Sequence, residues 1–166
     1  MRSTTAVNVV VAGFGSTYRH DDAVGSVVAE RAVARMPLSH YVGPLADPLD
    51  LLGVWNEADL VIVVDAVTSG APVGTLHTLE IDVNHDVPER VATTSSPGVA
   101  STHGIGLTAV LGLARALHQA PRRLVVVAIE GERFDLGEGL SAAVEAAVPL
   151  AVQQVVELIE EVQPCA

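Results

Sequence analysis

The sequence predicts an α/β fold, a mostly parallel sheet covered by helices on both faces with one antiparallel edge strand. Three observations carry this prediction. The segments VNVVVAG (7–13), ADLVIVVDA (58–66) and RLVVVAIEG (123–131) each hold a short, β-branched apolar run that a glycine or an acid stops; such runs read as buried strands. Between and after them, apolar residues recur at helical spacing. The resulting order, strand–helix–strand–helix–strand–strand–helix–strand–helix, is the alternation from which parallel sheets with right-handed crossovers are built.

Taken in order, 7–13 is the first strand. Residues 21–36 read as a helix, because Val24, Val28 and Ala32 recur every four positions and Asp21 and Asp22 stand at its start, where the helix dipole favours negative charge. Gly25 leaves this helix free to pack close to the sheet. A brief strand is expected at 39–43, then a turn bracketed by Pro44 and Pro48 and a short helix at 49–56. The segment 58–66 is the clearest buried strand. After the turn SGAPVG (69–74), TLHTLEI (75–81) reads as an exposed strand, and the hairpin-like link from 66 to 75 makes it the antiparallel edge. The stretch 82–102 is polar and long for a connection in a compact domain, which makes it a candidate clamp for a substrate tail. Residues 104–118 form a helix with the stripe Leu107, Val110, Leu111, Ala114 and Leu117. The strand 123–131 follows. The last helix, 141–162, carries Val144, Val148, Val152, Val155, Ile159 and Val162 on one face, and Pro149 predicts a kink in it.

With 166 residues the chain is expected to form one domain over 1–166, and 49% hydrophobic residues are enough for a core without disulfides. Aromatic residues make up only 3%, so Val, Leu, Ile and Ala must fill that core. The single cysteine, Cys165, excludes an internal disulfide and a cysteine-rich zinc site. No apolar stretch is expected to span a membrane, which takes ~20 residues, and no signal peptide is read at the start, so the expected location is the cytoplasm. A net charge of −11 argues against nucleic acid as a partner.

Three segments end in a group able to hold a divalent metal: Asp22 in GFGSTYRHDDAVG (13–25), Asp65 in LVIVVDA (60–66) and His103 in STHGIGL (101–107). In open α/β sheets ligands gather at the carboxyl ends of strands. Two carboxylates and one imidazole would make an incomplete coordination shell, open to a further ligand. Gly13 and Gly15 fit the opening of a dinucleotide motif, but Tyr18 stands where its third glycine belongs, and Asp21 and Asp22 would repel a pyrophosphate. Capping the helix requires only one of the two acids, which leaves the other for a further role. Asp65 ends a buried strand; it either bonds the amides of the following turn or faces the ligand crevice. His103 stands at a helix start, where the dipole favours the neutral, metal-binding imidazole. His20, beside Asp21, is either a contact to substrate or to a ligand, or a solvated turn residue. Ser95, Ser96 and Ser101 lie outside any G-x-S-x-G elbow, so a serine-hydrolase site is not supported.

GFGSTYRHDDAVG, VVDAVTSGAPVGTLHTLE, STHGIGL and GLSAAVEAAVP follow, in that order, the pattern of the hydrogenase maturation endopeptidases, and the chain resembles this family from about residue 7 to 160. The resemblance implies a three-layer α/β/α fold with a five-stranded sheet. It implies an endopeptidase that trims the C-terminus of the large subunit of a nickel–iron hydrogenase. The substrate would be the nickel-loaded precursor, cut only after metal insertion. The family's metal-contacting acid, strand-end aspartate and loop histidine fall on Asp22, Asp65 and His103. Two departures stand out: Ser16 replaces the usual asparagine of G-x-G-N, and Asp22 stands where some members carry glutamate, one methylene longer.

The expected chemistry is a peptidase that uses the metal its substrate brings. Asp22, Asp65 and His103 would supply oxygen, oxygen and nitrogen ligands to nickel, or to another divalent ion in its place. Docking of that metal would hold the scissile peptide near Asp22 and Asp65. A carboxylate or a metal-bound water would then attack, or the two aspartates would share a proton in an aspartic-type mechanism. The alternatives are a metal-sensing binding protein or chaperone of hydrogenase assembly without peptidase activity, and a small-molecule enzyme with a nucleotide-like ligand.

Overall fold

A computed structural model of the chain describes residues 7–85 and 104–163. Five strands form one sheet: β1 (Val9–Phe14), β2 (Ser39–Leu45), β3 (Leu60–Val67), β4 (Leu76–Ile81) and β5 (Leu124–Glu130), in the spatial order β2-β1-β3-β5-β4. Pairing is parallel between β1 and β2, β1 and β3, and β3 and β5, and antiparallel between β4 and β5. Three α-helices, α1 (Val24–Arg35), α2 (Gly104–Ala116) and α3 (Ala142–Val162), and two 3-10 segments, His20–Ala23 and Pro48–Gly53, complete the described residues.

The edge strand is antiparallel, as the sequence predicts, but the link before it does not close a hairpin. Both edges of β3 are taken, one by β1 and the other by β5. The chain leaving β3 therefore passes over β5 and returns along its far side, where Gly74 N–H donates to the Glu130 carbonyl and Glu130 N–H to the Thr75 carbonyl.

Pleating sends alternate side chains to opposite faces and so divides the core in two. On one face Val9, Val11, Leu60, Ile62 and Val64 pack with α1 and α3. On the other, Val10, Ala12, Phe14, Val61 and Val63 pack with Leu51, Trp55 and the α2 residues Val110, Leu111 and Ala114. Helices thus cover both faces of the sheet. The predicted stripes of α1 and α3 are buried at Val24, Val28, Ala32, Val144, Val148, Val152, Val155 and Ile159. The stripe of α2 is shorter than predicted: the helix ends at Ala116, which leaves Leu117 exposed.

By length and composition alone, α3 could cross a membrane. Its apolar face instead closes the core, which is how a buried helix passes the same test. Pro149 lies within this helix, which continues through it as one element.

Candidate functional site

Strand order places a switch point between β1 and β3. The connection from β1 leads through α1 outward to β2, while the connections from β3 lead toward β5 and β4. At such a point the carboxyl ends of two neighbouring strands open a crevice. Asp22 lies in the 3-10 segment shortly after β1, and Asp65 lies near the end of β3.

The approach of these elements is set by glycines. A Cβ on Gly25 would run into the carbonyl oxygens of Val64 and Phe14, so α1 begins directly against the ends of β3 and β1. Gly15 takes φ +104, and a Cβ there would strike the Asp22 carbonyl. The 3-10 segment therefore folds tightly over the end of β1 and packs against β3. His20, at φ 47, supplies the left-handed turn that starts it.

Asp22 is half-buried. Its Oδ2 accepts the Ser16 amide at 2.7 Å, which ties the glycine-rich turn to the carboxylate. The Ser16 hydroxyl in turn accepts the Tyr18 amide at 3.3 Å, so the serine that replaces asparagine keeps a local turn bond. Asp65 is buried at 7% exposure, and its Oδ1 accepts the Ala66 amide at 2.8 Å. By strand alternation it continues the row of Val61 and Val63 on the α2 face of the sheet.

The structure thus brings Asp22 and Asp65 to one rim, at neighbouring strand ends. The third expected ligand, His103, lies outside the described residues, as does most of the candidate clamp 82–102. Gly104 opens α2, and Gly106 in its first turn packs against Pro48, which follows the end of β2, so this helix also starts at the carboxyl rim. Among the described residues, no three His, Cys, Asp or Glu side chains form a group able to hold a metal. The proposed set therefore depends on His103.

Neither acid of the pair caps a helix: the 3-10 segment and α1 both start without a side-chain cap. Asp21 is instead fully buried and pins a distant loop. It accepts the backbone amides of Glu132, Arg133 and Ser141 at 3.0, 2.9 and 2.7 Å, and the Ser141 hydroxyl at 3.0 Å. Burial pushes its pKa up, but the three amides and the hydroxyl outweigh burial and hold it below the ordinary aspartate value.

His20 is buried rather than solvated. Its Nδ1 lies 2.9 Å from the Gly139 carbonyl and its Nε2 lies 3.0 Å from the Arg133 guanidinium. Because the guanidinium can only donate, Nε2 accepts and the proton sits on Nδ1, facing the carbonyl. Gly137 closes over the ring; a Cβ there would collide with Nε2.

One carboxylate that sequence reading passed over stands close by. Glu130 ends β5 and is 1% exposed. It accepts the Gly70 amide at 3.0 Å, the Ser69 amide at 2.5 Å and the Ser69 hydroxyl at 2.7 Å, and lies 3.3 Å from His77 Nε2. Burial raises its pKa, yet these hydrogen bonds hold it below the ordinary glutamate value. The signal that could have found it is the one that found Asp65, an apolar strand stopping at an acid.

A family model described as hydrogenase maturation protease matches residues 46–158. Over 160 residues the chain is 30% identical to the hydrogenase 2 maturation protease of Escherichia coli (strain K12), covering 93% of this chain and 92% of that protein. Among solved structures, it matches the hydrogenase maturating endopeptidase HybD from E. coli with a TM-score of 0.75 and 26% identity, covering 93% of each chain. The NiFe hydrogenase maturation protease HybD from Thermococcus kodakarensis matches with a TM-score of 0.70 over 92% of this chain and 99% of that one; at 20% identity this likeness supports the fold alone.

Proposed function

Because this chain belongs to the hydrogenase maturation protease family, we propose that it removes the C-terminal extension of a nickel-loaded hydrogenase large-subunit precursor and recognises the nickel in that substrate. The observation that supports this reading is the position of Asp22 just after β1 and of Asp65 near the end of the neighbouring β3, at the switch point of the sheet. The relatives are named as proteases or endopeptidases, which favours cleavage over a binding-only role.

In this reading the metal arrives as part of the substrate. Asp22 and Asp65 offer carboxylate oxygens and His103 offers a neutral imidazole, a set suited to a first-row divalent ion. Holding the metal fixes the adjacent peptide at the rim, and that positioning supplies much of the acceleration. The carboxylates are also the groups placed to accept a proton from an attacking water.

The deciding experiment incubates the protein with nickel-loaded and nickel-free precursors and follows the mass of the large subunit. Shortening only of the loaded form is expected. Equal cleavage of both removes nickel recognition, and cleavage of neither removes the substrate assignment. Since the metal belongs to the substrate, prior treatment of the protease with a chelator, followed by its removal, should leave processing unchanged. Asp22→Asn, Asp65→Asn and His103→Ala should each fold and lose processing by about a hundredfold or more. Full activity in any one of them takes that residue out of the site.

A further inference from the structure

We infer that Asp21 and Glu130 are positioning residues, two buried carboxylates at the end of β5 that hold in place the loops presenting Asp22 and Asp65. The inference rests on the site proposed above and adds to it the device that keeps its two halves in register.

The geometry has two arms that meet at one strand end. Glu130 is the last residue of β5, paired in register with Val67, two residues beyond Asp65. Its side chain takes the amides of Ser69 and Gly70 and the hydroxyl of Ser69. The chain leaving Asp65 is thereby bent over the end of β5 and fastened there. The backbone adds a further bond, from the Gly131 amide to the Val67 carbonyl at 2.9 Å.

The second arm starts one residue on. A Cβ on Gly131 would come within 3.1 Å of the Asp21 Cβ, so the strand end abuts Asp21 itself. The Asp21 carboxylate collects amides from the loop that leaves β5, and Asp21 N–H donates to the Arg133 carbonyl at 2.9 Å. Asp22, the next residue in the chain, is held by the same attachment.

Buried carboxylates are costly unless their oxygens are bonded. Here the Asp21 oxygens take three loop amides and the Ser141 hydroxyl, and the Glu130 oxygens take two loop amides, the Ser69 hydroxyl and His77 Nε2. Charge-assisted bonds of this kind are short and directional, and they resist the displacement that a metal docking from outside would impose on a loop. Displacement of about 1 Å in a ligand or catalytic group is enough to lower a rate by roughly a hundredfold.

The test compares Glu130→Ala, Glu130→Gln and Asp21→Ala with Asp22→Asn and Asp65→Asn. Processing of the nickel-loaded precursor is measured at a temperature where circular dichroism shows every variant folded. Glu130→Ala and Asp21→Ala should lose roughly tenfold or more in rate at saturating precursor. Glu130→Gln keeps an oxygen for the Ser69 and Gly70 amides and should recover to within about threefold of the parent. A purely structural contribution would not separate the alanine and glutamine variants once both are folded.

If Glu130→Ala and Asp21→Ala, folded, match the parent rate while Asp22→Asn and Asp65→Asn are inactive, the bracing role is overturned and the site stands. If Asp22→Asn and Asp65→Asn are active, the site reading fails and the bracing role with it. Should Glu130→Ala not fold, Ser69→Ala takes its place. It removes the hydroxyl's bond to Glu130 and the longer one from the Ala71 amide, and leaves the Ser69 and Gly70 amides on the carboxylate; a measurable loss of rate is expected and an unchanged rate counts against the proposal.

Discussion

Asp21 and Asp22 are neighbours in the chain with opposite circumstances. One is fully buried and saturated with hydrogen bonds; the other is half-buried and bonded to a single amide. Glu130 resembles Asp21, and its lowered pKa has a consequence for stability. A carboxyl whose pKa is lower in the folded than in the unfolded chain stabilises the fold above the unfolded value and loses that contribution as pH falls through the folded one. Glu130→Gln should therefore cost about 1–3 kcal/mol at pH 7. The gap should narrow as the pH is taken below the ordinary glutamate range and the parent carboxyl in its turn takes up a proton. Urea midpoints at the two pH values measure this; His77 faces the carboxyl and should be followed in the same titration. An equal gap at both pH values contradicts the assignment. At this scale the sequence was only partly legible. Asp65 and Glu130 carry the same signal, an acid ending an apolar run, yet one is proposed as a ligand and the other as a brace. What the local signal does not record for Glu130 is that amides reach it from Ser69 and Gly70, some 60 positions away.

The helix that follows the glycine-rich turn was legible as an element, but not in its detail. Its first turn is a 3-10 segment begun by His20 at positive φ, a conformation that residue type does not announce. What the sequence did carry was Gly25. The predicted close approach of α1 to the sheet is realised against the backbone of Val64 and Phe14, where no side chain can yield. Gly25→Ala should push the helix outward and cost about 1–3 kcal/mol, or more if the backbone cannot shift. Because Asp22 sits just ahead of that helix, the same variant should lower processing even where it folds. Thermal unfolding and a precursor-cleavage assay together test this, and a stable, fully active variant would show that the contact is dispensable. The pairing of β4 was legible only in part. Its edge position and antiparallel sense were read correctly, but its partner is β5, and of its residues only Thr78 and Glu80 are exposed.

Across the whole molecule, one cation joins three elements away from the site. Arg123 precedes β5, bonds both carboxylate oxygens of Glu80 on β4 at 2.8 and 3.0 Å, and bonds Glu161 of α3 at 2.7 Å. The Glu80 hydrogen bond leads those holding its pKa far above the ordinary arginine value. Both acids are more than half exposed, so solvent screens the pairs. Arg123→Ala should therefore cost only about 0.5–1.5 kcal/mol and leave processing untouched; a loss of activity would tie this end of the molecule to the site. By itself the sequence determined the alternation of strands and helices, their apolar faces and the approximate places of Asp22 and Asp65. Those depend on periodicities of two and 3.6 residues, which are local. Only the tertiary structure decided that β5 lies between β3 and β4, that His20 is enclosed, and that Asp21 and Glu130 gather amides from distant loops. The amides that meet Asp21 come from 111 to 120 positions away, and no local pattern records which distant backbone will arrive.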